Sequence, residues 1–378
     1  MTSLMWFTRD EFDARLGRVQ KELATRRLDG LVAYQPETVT WTTGFYTKSY
    51  TNYHMAVIPV EGQPSLLCRD VSRYYAERTF AFDEVRYWTD GQDQDECAIA
   101  LVRDRLGDQA RLGIELSSWM MPVTRYRRFG EALPGVEWVD VGDLNPLLRI
   151  VKSPAELAYQ RRAARAAESA MTAALDAAAP GRNELDVAAA ATAALVKAGS
   201  DTPGPGVFSS GERAMHLHGG YLDRVLRQGD TIQYEPTPHV RHYNARFMRT
   251  IKVGAASDAE MRLAERLIAV QDEALAAVKQ GVAATVPDAI YRAGIEATGK
   301  VSRYTNKTFY SLGMLMTPSH AEPLEATPSA TWTFQPGMVF HSYLLVGDFG
   351  MSETIHVTDR GVERLTNYRR DMLVSGSG

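Results

Sequence analysis

The sequence predicts a two-domain protein of the α/β (α+β) class. A mixed-sheet domain spans residues 1–150, and a larger domain over 151–374 alternates helix pairs with antiparallel strands. Three observations predict this. Strand and helix patterns alternate from residue 8 to about 150, the pattern of an α/β layer. Ser153-Pro154-Ala155-Glu156 reads as a capping box with proline at the first helical position, so a long helix and a new domain start there. Beyond it, two pairs of helical segments are each followed by apolar, strand-like runs. That order suggests an internal duplication with a site between its halves.

Thr8-Arg9-Asp10-Glu11 caps a first helix that runs to about Arg27, with Phe12, Leu16, Val19 and Leu23 on one face. LDGLVAY (28–34) follows as a buried strand. WTTGFY (41–46) and YHMAVIPV (53–60) are expected as further strands, with Glu61-Gly62 turning into PSLLC. YYAERTF, EVRYW, the helix ECAIALVRDRL, RLGIEL and VEWVDV complete the first domain. After Ser153 an alanine-rich helix extends to Pro180-Gly181, and Leu157, Ala164, Met171 and Leu175 recur on it at helical spacing, so it is a packed helix and not a linker. Helices are expected over 184–198, 257–279 (capping box Ser257 to Glu260) and 287–297. The strands are GVFSS, TIQYEPT, YNARFMRTIKV, GMVFHSYLL and SETIHVT.

Composition narrows the function. A net charge of -4 and a pI near 6.1 give no basic surface for nucleic acid or an anionic membrane. No run approaches the roughly 18 apolar residues of a membrane span, and the N-terminal residues lack a leader pattern. A cytoplasmic protein is therefore expected, with a small-molecule substrate. Cys68 and Cys97 fit no metal spacing and read as free thiols, and the final SGSG reads as a tail without fold information.

The most informative stretch is GDTIQYEPTPHVRHYNARFMRT, from Gly229 to Thr250. Together with RIVKSPAEL, GVFSSGERAMHLH, FQPGMVF and SETIHVTDRGVERLT, in that family's order and at its spacing, it resembles the creatinase/aminopeptidase P/prolidase family. The resemblance implies a creatinase-like first domain and a pita-bread catalytic domain. Metallopeptidases of this kind carry five metal ligands, and the corresponding positions here hold Glu235, Arg246, Tyr310, Tyr343 and Ser352, with Glu353 beside the last. A cation cannot ligate a divalent metal, and a dinuclear site needs bridging carboxylates. No metal and no cofactor are expected. A shifted site built from His216, His218, His239 and Glu353 is not called for by their spacing.

His218 lies seven residues after Gly211 and eleven before Gly229. The resemblance makes that the position of the proton-transferring histidine of metal-free creatinase, and a neutral imidazole can move a proton near neutral pH. Glu235 lies mid-strand among apolar residues, where a carboxylate must face a pocket or a partner. Its alternative is an ion pair with Arg246 or Arg241 across the hairpin. Met248 and Tyr343 stand where creatinase grips a guanidinium with glutamates, which disfavours that activity. Arg241-His242-Tyr243, the Tyr310–Gly313 run, Phe340-His341 and the Gly350–Glu353 run resemble the ectoine hydrolase branch instead. Arg246 and the TPSHAEP loop depart from it. The implied catalytic residues are His218 and Glu235, and the implied substrate-binding residues are Arg246, Tyr310, Tyr343, His341, Glu353 and Tyr46. His341 and Glu353 are read as a possible second proton-handling pair. Tyr46, with Phe45, Tyr50 and His54, is assigned to the wall that the resemblance implies in a homodimer.

Overall fold

The computed structural model describes residues 4–201, 204 and 206–376. The chain divides into two compact units, Met1–Leu148 and Arg149–Gly378.

In the first unit the elements are α1 (Arg9–Thr25), β1 (Gly30–Ala33), α2 (Pro36–Thr43), β2 (His54–Pro59), β3 (Ser65–Arg69), α3 (Arg73–Thr79), β4 (Glu84–Trp88), α4 (Gln94–Leu106), β5 (Arg111–Ile114), α5 (Val123–Ala132), β6 (Glu137–Asp140) and α6 (Leu144–Leu148). The sheet runs β4-β3-β2-β1-β5-β6 and is mixed: β1–β2 and β2–β3 are antiparallel, the other pairs parallel. WTTGFY, expected as a strand, has its first half, Trp41–Thr43, in α2 and the rest outside any strand. Pro36 starts that helix, and Gly44 ends it in the left-handed conformation (φ 81°), its N–H reaching the Thr40 carbonyl. A Cβ on Gly44 would lie 2.5 Å from the Thr79 carbonyl oxygen, so only glycine fits this stop. Both cysteines are free, and burial pushes the Cys68 thiol up to about 12.

The second unit contains α7 (Pro154–Ala177), α8 (Glu184–Lys197), β7 (Val207–Ser210), β8 (Thr231–Glu235), β9 (His239–Val240), β10 (Tyr243–Asn244), β11 (Arg249–Val253), α9 (Asp258–Ala277), α10 (Thr285–Glu296), β12 (Phe309–Ser311), β13 (Glu325–Ala326), β14 (Val339–Val346), β15 (Phe349–Thr358), β16 (Gly361–Arg364) and β17 (Leu373–Ser375). Ser153/Glu156 and Ser257/Glu260 form full capping boxes on α7 and α9. These satisfy first-turn N–H groups that a helix cannot bond internally.

The large sheet runs β13-β12-β14-β15-β11-β8-β7. Outward from the central β15–β11 pair, β14 and β12 on one side match β8 and β7 on the other. One core joins α7 and α8 to β7, β8 and β11 through residues such as Met171, Leu195, Phe208 and Tyr234. A second joins α9 and α10 to β12, β14 and β15 through Leu267, Tyr291, Phe309 and Phe340. The unit therefore has the two-fold pattern of a duplicated helix-pair-and-sheet module, with helices on one face of the sheet.

The expected strand YNARFMRTIKV is broken. Arg241 and His242 both adopt positive φ (53° and 59°) in the β9–β10 turn. The Arg246 N–H donates to Thr354 Oγ1 (2.8 Å) instead of joining a ladder, so residues 245–248 lie between β10 and β11. This break sets the Arg246 side chain at the cavity described next.

Candidate active site

Strand alternation decides which side chains leave the helix-covered face of the sheet. On β8, Ile232 and Tyr234 enter the α7/α8 core, so Glu235 lies on the other face, and Pro236 follows it. On β14, Phe340 and Leu344 enter the α9/α10 core, while His341 and Tyr343 take the opposite face with Tyr310 of β12. There a cavity of about 170 Å³ is lined by Glu235, Arg246, His218, Tyr310, His341 and Tyr343 together with Lys307 and His320. Four of the five positions assigned to metal ligands in the sequence thus meet in one place. The fifth, Ser352, lies 2.5 Å from His341 Nε2 through its Oγ.

The donors at these positions do not fit a divalent metal. They are one carboxylate, one guanidinium, two phenols and a serine hydroxyl. Among the described residues no group of three His, Cys, Asp or Glu side chains is arranged to hold an ion. His216, His218, His239 and Glu353 do not form such a group either.

Glu235 is 7% exposed, and burial raises its carboxyl above the ordinary range against the opposing pull of Arg246. Its one ion-pair partner among the described residues is Arg246, with Nη1 3.9 Å from Oε1, beyond hydrogen-bond distance. Arg246 is held from three sides. Nε donates to Asn244 Oδ1 (3.1 Å), Nη1 to the Tyr310 hydroxyl (2.9 Å) and Nη2 to the His320 carbonyl (2.9 Å). A guanidinium has five N–H groups, so two remain to meet a ligand. Tyr310 and Tyr343 are raised by burial and keep their phenolic protons, which suits donation to a ligand.

His341 is 1% exposed, its ring parallel to Tyr343 at 5.3 Å and edge-on to Tyr310 at 4.9 Å. Burial holds its imidazole well below the ordinary value, and Arg246 and Lys307 push it the same way. It is neutral near pH 7. A histidine whose folded value is lowered stabilises the fold fully above its unfolded value, about 6.5, and that stability is lost as the pH falls. His54, lowered to about 4 by burial, behaves alike. In urea titrations from pH 8 to pH 5, the unfolding free energy is therefore expected to be flat above about 6.5 and to fall below it. The slope per imidazole is about 1.4 kcal/mol per pH unit. His341→Asn should reduce that slope by one imidazole's share, and equal slopes would contradict a buried neutral His341.

His218 lines the cavity from the 211–220 loop, exposed and in the left-handed conformation (φ 68°), an uncommon state for a non-glycine residue. His216, its neighbour, does not line the cavity. Glu353 is not brought there, and no His341–Glu353 pair forms. Consecutive strand residues face opposite ways, so Ser352 and Thr354 take the cavity side, where they bond His341 and Arg246, while Glu353 points to the helices. There it is 0% exposed and pairs with Arg249 Nη2 at 2.7 Å, with Arg370 and Arg364 at 3.5 and 3.9 Å. Tyr46 belongs to the first unit, its ring 4.4 Å from Trp6, and Phe45 and His54 are buried there. Lys307 and His320 escaped sequence reasoning. Lys307 stands three residues before Tyr310, a nearness in sequence that could have found it, and it pairs with Glu325. His320 contributes its carbonyl, which no side-chain pattern encodes.

Residues 158–359 match the model of the metallopeptidase family M24, and residues 15–151 match that of the creatinase/prolidase N-terminal domain. The chain is 28% identical over 390 residues to an uncharacterized hydrolase/peptidase of Sinorhizobium fredii, covering 97% of each. It is 25% identical over 398 residues to the ectoine hydrolase of Halomonas elongata, covering 97% of this chain and 98% of that one. The crystal structure of dipeptidase PepE from Mycobacterium ulcerans has the same fold, with a TM-score of 0.84 at 23% identity over 97% of this chain and 99% of that one. No helix among the described residues is long and apolar enough to cross a membrane.

Proposed function

Since the chain belongs to the metallopeptidase family M24, as a hydrolase with ectoine hydrolase among its homologues, we propose that it hydrolyses a C–N bond in a small zwitterionic cyclic amidine or related compound without a metal. One observation carries this reading. A buried carboxylate and a half-buried guanidinium face one small cavity, and among the described residues neither is fully satisfied: Glu235 has only Arg246 at 3.9 Å, and Arg246 keeps two unused N–H groups. Charges of opposite sign lining one small cavity and held just beyond bonding distance call for a ligand that carries both charges.

In this reading Arg246 takes the substrate carboxylate as a charge-assisted pair. Glu235 takes the protonated amidine, close enough to stabilise the cation or to attack its carbon. Water supplies the oxygen of the new C–O bond. His218, exposed and unencumbered, removes a proton from that water and returns one to the ring nitrogen as the C–N bond breaks. The product is an amide and a free amine, one water heavier than the substrate. Tyr310 and Tyr343 supply neutral hydroxyl donors, and neutral His341 avoids adding a cation beside the substrate's own.

A creatinase-like or ring-closing reaction on the same groups is the second reading, and the buried Met248 offers nothing to grip a guanidinium for it. Incubation with ectoine, hydroxyectoine and creatine, followed by mass spectrometry, separates the readings. A gain of one water on ectoine or hydroxyectoine is the expected result. No turnover of either would remove the substrate assignment, and turnover of creatine alone would select the second reading.

A further inference from the structure

Two basic residues at the start of the second unit have no part in that chemistry. Arg149 and Lys152 are each 5% exposed, and they lie in the short run RIVK that precedes α7. We propose that they clamp the two ends of the 312–322 loop, and that the clamp sets the His320 carbonyl and through it the Arg246 guanidinium.

The run is a fixed base. Lys152 N–H donates to the Gly337 carbonyl (2.9 Å), and Val151 bridges Met338 at the edge of β14. From this base Arg149 Nη1 donates to the Met314 carbonyl at 2.8 Å, near the start of the loop. Lys152 Nζ donates to Glu322 Oε2 at 2.6 Å, at its end, and to the Arg149 and Ile150 carbonyls at 2.7 and 3.0 Å. The Glu322 side chain is 0% exposed, and its N–H closes the loop onto the Ser311 carbonyl (3.0 Å). Between these anchors lie His320 and Ala321, which line the cavity.

Gly313 explains how the pair fits. A Cβ there would lie 2.0 Å from Glu322 Oε1 and 2.9 Å from Lys152 Cε, so any side chain would displace the carboxylate. A buried ion pair gains little over apolar groups of the same volume, because two charges lose their hydration. What it adds is direction. Here the direction is transmitted by backbone: Glu322 is two residues from His320, whose carbonyl accepts from Arg246 Nη2. Arg149 and Lys152 are thus positioning residues that act through a loop. Their effect on substrate rests on the proposed role of Arg246 in holding a carboxylate.

The test uses the full chain carrying Arg149→Met, Lys152→Met and Glu322→Leu together, which replaces the buried pair and the guanidinium 3.9 Å from Glu322 by apolar groups and avoids stranding one buried charge. Its melting temperature should stay close to that of the wild type. Amides of residues 314–322 should exchange with deuterium about tenfold faster or more, while those of β14 and β15 are unchanged. KM for ectoine should rise about tenfold with kcat nearly retained, since a loosened Arg246 weakens binding before chemistry. Unchanged exchange over 314–322, or acceleration throughout the unit, would overturn the clamp. Faster loop exchange with unchanged KM would overturn its link to Arg246. If the wild type does not turn over ectoine, the proposed substrate fails, and the exchange experiment still decides the clamp.

Discussion

Glu235→Gln is expected to abolish turnover, by a factor on the order of 10³ or more, and to leave the fold in place. The substitution keeps shape and removes only the charge. Arg246 would lose its 3.9 Å ionic neighbour but keep its bonds to Asn244, Tyr310 and His320, so it is not stranded. Burial already disfavours the carboxylate at this position, so its neutral replacement should shift stability by no more than about 1–2 kcal/mol in either direction. The activity loss follows from chemistry: a carboxamide neither neutralises a cationic amidine nor attacks its carbon. Calorimetric melting beside steady-state rates checks both halves. A fully active, normally folded Glu235→Gln enzyme would remove the carboxylate from the mechanism.

Glu353→Ala should have the largest effect on stability, costing about 3–5 kcal/mol. Glu353 is the carboxylate against which Arg249, wholly buried, makes its 2.7 Å pair, and Arg370 and Arg364 lean on the same group. Thr366 also donates its hydroxyl to it. Among the described residues, removing it leaves the wholly buried Arg249 guanidinium with carbonyl partners alone, although Arg370 keeps Asp272 at 2.5 Å. For a unit of this size the loss corresponds to a fall in melting temperature on the order of 10 °C. Because the side chain points away from the cavity, the protein that remains folded should bind substrate normally. A stable variant with a raised KM would instead return Glu353 to the substrate.

These two acids show what sequence could and could not reveal. Glu235 was legible because its place in the strand, after apolar Ile232 and Tyr234, required either a pocket or a partner. Arg246 was legible from its fixed distance to the Gly229–Asp230 turn. Glu353 was misplaced because the motif gave its neighbourhood, while the side it faces depends on the strand period counted from β15 residues already in the core. The helical half of WTTGFY was missed for a similar reason: the signals are Pro36 and Gly44, which bracket α2, and not the segment's own apolar residues. The His320 carbonyl reaches the cavity from a loop whose path depends on long-range anchors such as Lys152 and Glu322. Local pattern carries no record of those anchors. The two-domain fold, by contrast, was written in local signals, above all the capping boxes at Ser153 and Ser257.

The most direct measurement takes one purified sample, dialysed exhaustively against chelator, and determines both its metal content by plasma mass spectrometry and its ring opening of ectoine. Hydrolysis by Glu235, His218 and Arg246 alone predicts undiminished product formation with no stoichiometric metal. About two tightly held equivalents of manganese, cobalt, zinc or iron, with activity that disappears as they are stripped, would contradict it.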